Sequence, residues 1–291
     1  MSEPRFGWVL NLDAEFELAH ESGYTPRVRL SRQLERYGAQ SRELLGPNDV
    51  LITAAPFEAS GLIGRAWCPT PMALATLSAA GIDPEPHPSE SVLRRVNHRR
   101  FAFELGSGLE GQVYLEDRSQ LEGLLHRATH PWLLKRPLSF AGRGQLRAYA
   151  TLSEKQWSWV DASFRVDGLV VEPLVVPTLE LSLHGFLWPN GRRECGRICV
   201  QEVTARGVFR GVRTAMPGEL TAAEESALFA EGERVAVALE GAGYFGPFGV
   251  DAYRYERDGR QGFCALGEIN ARYTMGFVTG FPRHPSELLL D

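Results

Sequence analysis

Near the C-terminal end of the sequence, Asp251, Glu268 and Asn270 have types and spacing that suit a hard cation. Asp251 lies in one strand-like run, and Glu268 and Asn270 close the next, with Asp258-Gly259 between the two. Residues opposite one another on paired strands stand about 5 Å apart, and every second side chain of a strand shares a face. Three oxygen donors can therefore converge, a set that suits Mg2+ also held by substrate phosphates. Arg272 continues the alternation and can meet phosphate oxygens or the charge of a transition state. A surface hairpin with solvated charges is the plain alternative. Upstream, Lys135 ends an apolar run and precedes Arg136-Pro137-Leu138-Ser139-Phe140-Ala141-Gly142-Arg143-Gly144. A lysine before a glycine-bearing loop is a pattern for covering phosphates, because glycine lets backbone N–H groups approach the oxygens. The G-K-[ST] of a Walker A loop is absent, and a flexible surface loop explains the same residues. Lastly, Leu169-Val170-Val171-Glu172-Pro173-Leu174-Val175 can offer backbone groups to a purine edge, with Glu180 beyond it to accept from ribose hydroxyls. A buried strand with a terminal carboxylate is the simpler account of that run.

These residues need elements to hold them. Asp258-Gly259 predicts a hairpin between strands over 248–255 and 262–269, and Pro189-Asn190-Gly191 predicts another between 181–187 and 195–203. Thr221-Ala222-Ala223-Glu224 is a capping box opening a helix to about Gly241. Proline at its first position predicts a helix over 70–77, stopped near Gly81. Periodicity adds helices over 31–40 and 119–127, one Arg-rich amphipathic helix over 92–105, and strands over 7–12, 50–53, 113–115, 132–135 and 169–174. Residues 83–89 hold three prolines and read as a loop or linker. The pattern is α+β with antiparallel hairpins after a small α/β unit. Gly106-Ser107-Gly108-Leu109-Glu110-Gly111 matches G-x-G-x-x-G, but a helix precedes it and a strand follows, the reverse of a dinucleotide site. It reads as a helix-to-strand turn.

Composition bounds the classes. The 291 residues allow one large or two modest domains, at roughly 100–200 residues each. With 44% hydrophobic and 23% charged residues the chain is an ordinary globular one. A net charge of −5 argues against a nucleic-acid partner, and no apolar stretch is long enough to span a membrane. Cytoplasmic placement and a possible homodimer are the expectations. Cys68, Cys195, Cys199 and Cys264 make no disulfide framework, and Cys195 and Cys199 have poor zinc spacing, so they read as small buried hydrophobes. Only two of the 31 basic residues are lysines, so Lys135 stands out as a place where a compact ammonium is kept. Arg206, Arg210 and Arg213 form a basic cluster that can receive a carboxylate but is read as a solvated face.

Taken together, the order of these motifs resembles the ATP-grasp superfamily of carboxylate–amine and carboxylate–thiol ligases, over roughly residues 92–276. Leu134-Lys135-Arg136-Pro137 and the glycine loop resemble the family's phosphate-binding lysine and flap, with Ser139, Gly142, Arg143 and Gly144 in the flap. Glu172, Pro173, Leu174 and Val175 resemble its adenine hinge, and Glu180-Leu181-Ser182-Leu183-His184-Gly185 its E-x-S-x-x-G strand, whose glutamate binds ribose. Phe248-Gly249-Val250-Asp251 and Glu268-Ile269-Asn270-Ala271-Arg272 are similar to its magnesium signature. Asn97-His98-Arg99-Arg100 stands where many members have N-D-K, which gives Arg99 the lysine's place on the phosphates. His184, where many members have Asp, is read as structural.

The resemblance implies an α+β ATP-grasp fold, two α+β lobes sandwiching ATP behind a short α/β N-terminal domain. The expected divisions are 1–91, 92–171 and 172–291. It implies ATP and Mg2+, or Mn2+, as cofactors, with the metal on Asp251, Glu268 and Asn270, phosphates on Lys135 and Arg99, and Arg272 and Lys135 in catalytic roles. The implied reaction activates a small-molecule carboxylate as an acyl phosphate and releases ADP, after which an amine such as an amino acid or peptide displaces phosphate. An ATP-grasp kinase or a non-catalytic nucleotide-binding protein is the alternative on the same fold.

Overall fold

The computed structural model describes residues 4–20, 24–25, 37–38, 41–53, 61–139, 144–203 and 209–290. Three sheets organise it. The first is parallel, in the order β2-β1-β3, from β1 (Arg5–Val9), β2 (Val50–Leu51) and β3 (Leu62–Ala66). Phe6, Gly7, Trp8 and Val9 are all buried, so this short strand reads as an unbroken apolar run. The sequence reading passes over β3, whose Gly64 and Arg65 interrupt the apolar pattern. Arg65 is nonetheless buried. Its guanidinium lies 3.6 Å from the Phe6 ring centroid, binds both Glu85 oxygens at 2.6 and 2.7 Å, and donates to the carbonyls of Pro285 and Leu288. α1 (Ala14–Leu18) follows β1, and α2 (Pro71–Ala79) follows β3. α2 begins at the expected proline, and Gly81 takes φ +72° just beyond its end.

The single helix expected over 92–105 is two: α3 (Glu90–Asn97) and α4 (Arg99–Leu105). His98 breaks the run with an extended backbone (φ −75°, ψ 128°), and its side chain accepts from the Arg100 N–H to cap α4. The Arg99 N–H turns out to the Pro137 carbonyl at 3.0 Å. The helix expected over 31–40 lies almost wholly outside the described residues.

The second sheet is antiparallel, in the order β4-β7-β5-β6, from β4 (Val113–Leu115), β5 (Trp132–Lys135), β6 (Gln145–Ala148) and β7 (Leu169–Pro173). α5 (Arg118–His126) and α6 (Glu154–Phe164) cover one face, burying Leu121, Trp132, Leu134, Val160 and Val171. By strand alternation, Lys135 and Glu172 point from the other face. Neither β6 nor α6 is anticipated, although Ser153 and Gln156 form a full capping box at the start of α6.

The third sheet is antiparallel, in the order β10-β9-β8-β11-β12. Its strands are β8 (Val176–Leu187), β9 (Arg193–Val203), β10 (Phe209–Thr214), β11 (Gly246–Arg257) and β12 (Arg260–Asn270). Both expected hairpins are present, with Gly191 at φ +81° in one turn and Asp258 and Gly259 at φ 52° and 72° in the other. α7 (Ala222–Gly241) carries the expected box between Thr221 and Glu224 and packs on this sheet, with the short α8 (Phe277–Gly280) beyond β12. Phe6 and Trp8 of the first sheet share one core with Leu183, Leu239, Phe248 and Phe277, whereas the second sheet has its own.

Candidate active site

The three residues expected to hold a metal come together as the register requires. Asp251 on β11 is paired with Glu268 on β12, and Gly249 with Asn270. Asp251 accepts from Gln201 Nε2 at Oδ1 (2.8 Å) and from Asn270 Nδ2 at Oδ2 (3.0 Å). Burial, with the Glu268 charge beside it, pushes the Asp251 carboxyl up to about 7. Two adjacent carboxylates whose shared charge is this costly form a donor set suited to a divalent cation. Asn270 turns its Oδ1 to Arg272 Nη2 at 2.9 Å, so a half-turn of its amide would add a third oxygen. Among the described residues no cluster of three His, Cys, Asp or Glu side chains gathers. The set is two carboxylates and an amide.

Arg99, buried at the start of α4, ties the second sheet's loop to these carboxylates. It donates to Glu268 Oε1 at 2.6 Å, to Ser139 Oγ at 2.6 Å and to the Arg136 carbonyl. Its Nε has no partner. Lys135, at the end of β5, lies 2.5 Å from Glu172 Oε1 on the neighbouring strand, and Gln112 Nε2 donates to the other Glu172 oxygen at 3.0 Å. Gly144, at φ +72°, closes the loop by accepting from the Arg136 N–H, and a Cβ there would lie 2.8 Å from Ser139 Cβ. Gly142 and Arg143 lie outside the described residues. A crevice between the sheets is lined by Arg99, Gln112, Lys135, Val170, Leu266 and Gly267.

At the hinge Pro173 is buried and has no N–H, and the Leu174 N–H is spent on the Pro131 carbonyl at 2.9 Å. Val175 leads on into β8. Glu180 lines an open groove of about 450 Å³ with Thr178, Gln201 and Arg210, the size range of small-molecule sites. Burial raises its pKa. Of the basic cluster, Arg213 is paired with Glu219 at 2.6 Å, and Arg206 lies outside the described residues.

Arg272 is not a further residue of β12. The strand ends at Asn270, the Arg272 N–H folds back on the Asn270 carbonyl, and the guanidinium is bound by Glu15 from α1 while lying 5.3 Å from the Trp67 ring centroid. Glu15 Oε2 and Trp67 Nε1 are buried with no partner. Asn97 holds this corner by accepting from the Ala271 N–H at 2.8 Å. His184 is structural in placement. Its ring bridges Ser182 and Thr274 at 3.0 and 2.9 Å and fills space left by Gly276 and Gly280. Burial pushes it down to about 4.

Gln112, Gln201 and Glu15 contact Glu172, Asp251 and Arg272 but escape the sequence reading. Gln201 had an available signal, since it shares the alternation of a strand already assigned.

Comparison with solved structures places the fold. D-alanyl-alanine synthetase A from Vibrio cholerae superposes over 99% of this chain and 94% of its own, with a TM-score of 0.57 and 14% identity. Carboxyaminoimidazole ribonucleotide synthase from Aspergillus clavatus, in complex with ATP, covers 99% of this chain and 78% of its own at a TM-score of 0.54 and 14% identity. Pyruvate carboxylase from Rhizobium etli matches 99% of this chain with 30% of its own, at 0.58 and 15%. The chain has the ATP-grasp fold. No family model and no curated protein matches it by sequence.

Proposed function

We propose that this chain is an ATP-dependent carboxylate–amine ligase that forms an amide or peptide-type bond through an acyl phosphate. One observation carries the reading. Arg99, which shares one crevice with Lys135 and donates to Ser139, meets Glu268 of the Asp251–Glu268–Asn270 set at 2.6 Å. The fold shared with an ATP-bound synthase and with a synthetase supports it.

In this reading Asp251, Glu268 and Asn270 hold Mg2+ or Mn2+, which when bound neutralises phosphate oxygens. Lys135 and Arg99 bind the phosphates, and the loop from Ser139 through Gly142 and Arg143 to Gly144 closes over them and excludes water. Residues Glu172 to Val175 border the base, and Glu180 accepts from the ribose. Arg272 steadies the acyl phosphate, and the unpartnered Oε2 of Glu15 accepts an N–H of the incoming amine. The protein's work is to position groups and balance charge. The substrates called for are a small carboxylate and an amine such as an amino acid or peptide.

Isothermal titration of ATP with and without Mg2+ tests this. One-to-one binding that Mg2+ strengthens is expected, and Glu268→Gln should cut ADP formation by roughly a hundredfold or more while leaving the fold intact. No binding in either condition, or undiminished ADP formation by folded Glu268→Gln protein, would overturn the reading.

A further inference from the structure

Asn97, His98 and Arg99 are consecutive, yet each is held by a different part of the molecule. Asn97, buried at the end of α3, donates to the carbonyls of Leu93 and Ala271 and accepts from the Ala271 N–H at 2.8 Å, which fixes it beside Asn270. His98 Nε2 lies 2.8 Å from Asp167 Oδ2, in the turn between α6 and β7 of the second sheet. That carboxylate is itself set by the Tyr114 hydroxyl at 2.6 Å and the Gly168 N–H at 2.7 Å. Arg99 reaches both sides. Its N–H goes to the Pro137 carbonyl, its Nη1 to Ser139 Oγ and its Nη2 to Glu268. Its buried Nε has no partner, which leaves one donor for a ligand.

His98 Nδ1 accepts from the Arg100 N–H at 3.1 Å, so in the neutral ring Nε2 carries the hydrogen and donates to Asp167. One imidazole thus does two things: it caps α4, and it ties the capped end to the second sheet. α4 has only seven residues, too few to be stable without its surroundings, and Arg99 is the first of them. A residue that had only to cap would be served by the shorter Asn, Asp or Ser. The two opposed ring nitrogens explain why a histidine stands here. We propose that His98 is a positioning residue of the site: it holds Arg99 at the join between the Ser139 loop and the Asp251–Glu268–Asn270 set, where the free Nε meets a phosphate oxygen of the nucleotide. The proposal rests on the nucleotide reading above and adds to it a residue that touches no substrate.

The test measures binding of a non-hydrolysable ATP analogue with Mg2+ by calorimetry, in the full chain and in variants at positions 98 and 99. Affinity is expected to fall by about 5- to 30-fold in His98→Ala, the worth of a typical to strong helix cap. In an Arg99→Gln background the same change should cost less than about twofold, because no guanidinium remains to be placed. His98→Asn, whose amide oxygen caps α4 in the imidazole's place, should bind more tightly than His98→Ala. Wild-type affinity in His98→Ala overturns the proposal. So does an equal loss in the Arg99→Gln background, which would make the imidazole a general support of the fold. If Arg99→Gln abolishes binding, His98→Asn decides: recovery supports the proposal, and an affinity no better than that of His98→Ala overturns it. Wild-type protein that binds no analogue overturns the nucleotide reading itself, a result distinct from each of these.

Discussion

Lys135 and Glu172 show how the site is held before any ligand arrives. Both are buried on adjacent strands of the second sheet, 2.5 Å apart, with Gln112 supplying one more hydrogen bond to the carboxylate. Removing one partner of a buried pair leaves the other charge desolvated, which costs about 3–5 kcal/mol, whereas replacing both by apolar groups is often neutral. Glu172→Ala should therefore lower stability in urea by about that amount, and the double variant Lys135→Met/Glu172→Leu should regain most of it while binding no ATP. If the double variant is as unstable as the single one, the pair is not the source of the loss. At this scale the sequence is partly legible. Asp251, Glu268, Asn270 and Lys135 can be picked out because strand alternation and a loop glycine are local signals. Their partners cannot, because Arg99 meets Glu268 across 169 residues and Arg272 meets Glu15 across 257.

Hairpin turns and capping boxes are legible for the same reason: Asp258-Gly259 and Thr221 with Glu224 write their geometry into a few consecutive residues. The break at His98 is not, since no glycine or proline marks it. It is imposed from outside, by the Pro137 carbonyl that takes the Arg99 N–H and by Asp167, 2.8 Å from His98 Nε2. The turn after β12 is a third case. It is seated on the His184 imidazole, and a Cβ at Gly276 or Gly280 would lie 2.6 or 2.4 Å from that ring. Desolvation holds His184 at about 4 in the folded chain, against about 6.5 when unfolded. A depressed histidine pKa means the unfolded chain takes up the proton first. The contribution is whole above about pH 6.5 and is lost as pH falls toward 4, on the order of 3 kcal/mol in all. Urea unfolding between pH 7.5 and 4 should accordingly show a steeper decline for the wild type than for His184→Asn. Parallel slopes would mean that the imidazole protonates without disturbing the turn.

Over the whole molecule, the first and third sheets share a core and the second stands on its own. Arg65 is one of the ties that close the larger unit, with its charge met by Glu85 and its remaining donors by the carbonyls of Pro285 and Leu288. Arg65→Met should leave Glu85 without its cation and the segment 285–290 without its anchor. The expectation is a loss of about 3–5 kcal/mol and faster proteolytic cleavage after residue 281. Native-like resistance of that segment in the variant would argue that Leu288 and Leu290, both in or beside the core, suffice to hold it. The same contact sets a clock during synthesis. Arg65 leaves the ribosome 220 residues ahead of its partner Pro285. At roughly 5–20 residues per second, the first sheet waits on the order of ten to forty seconds with Arg65 paired to Glu85 but its donors to the Pro285 and Leu288 carbonyls unmet. In the living cell this sheet is finished long after its own strands are made, and that interval is when a chaperone has the most to hold.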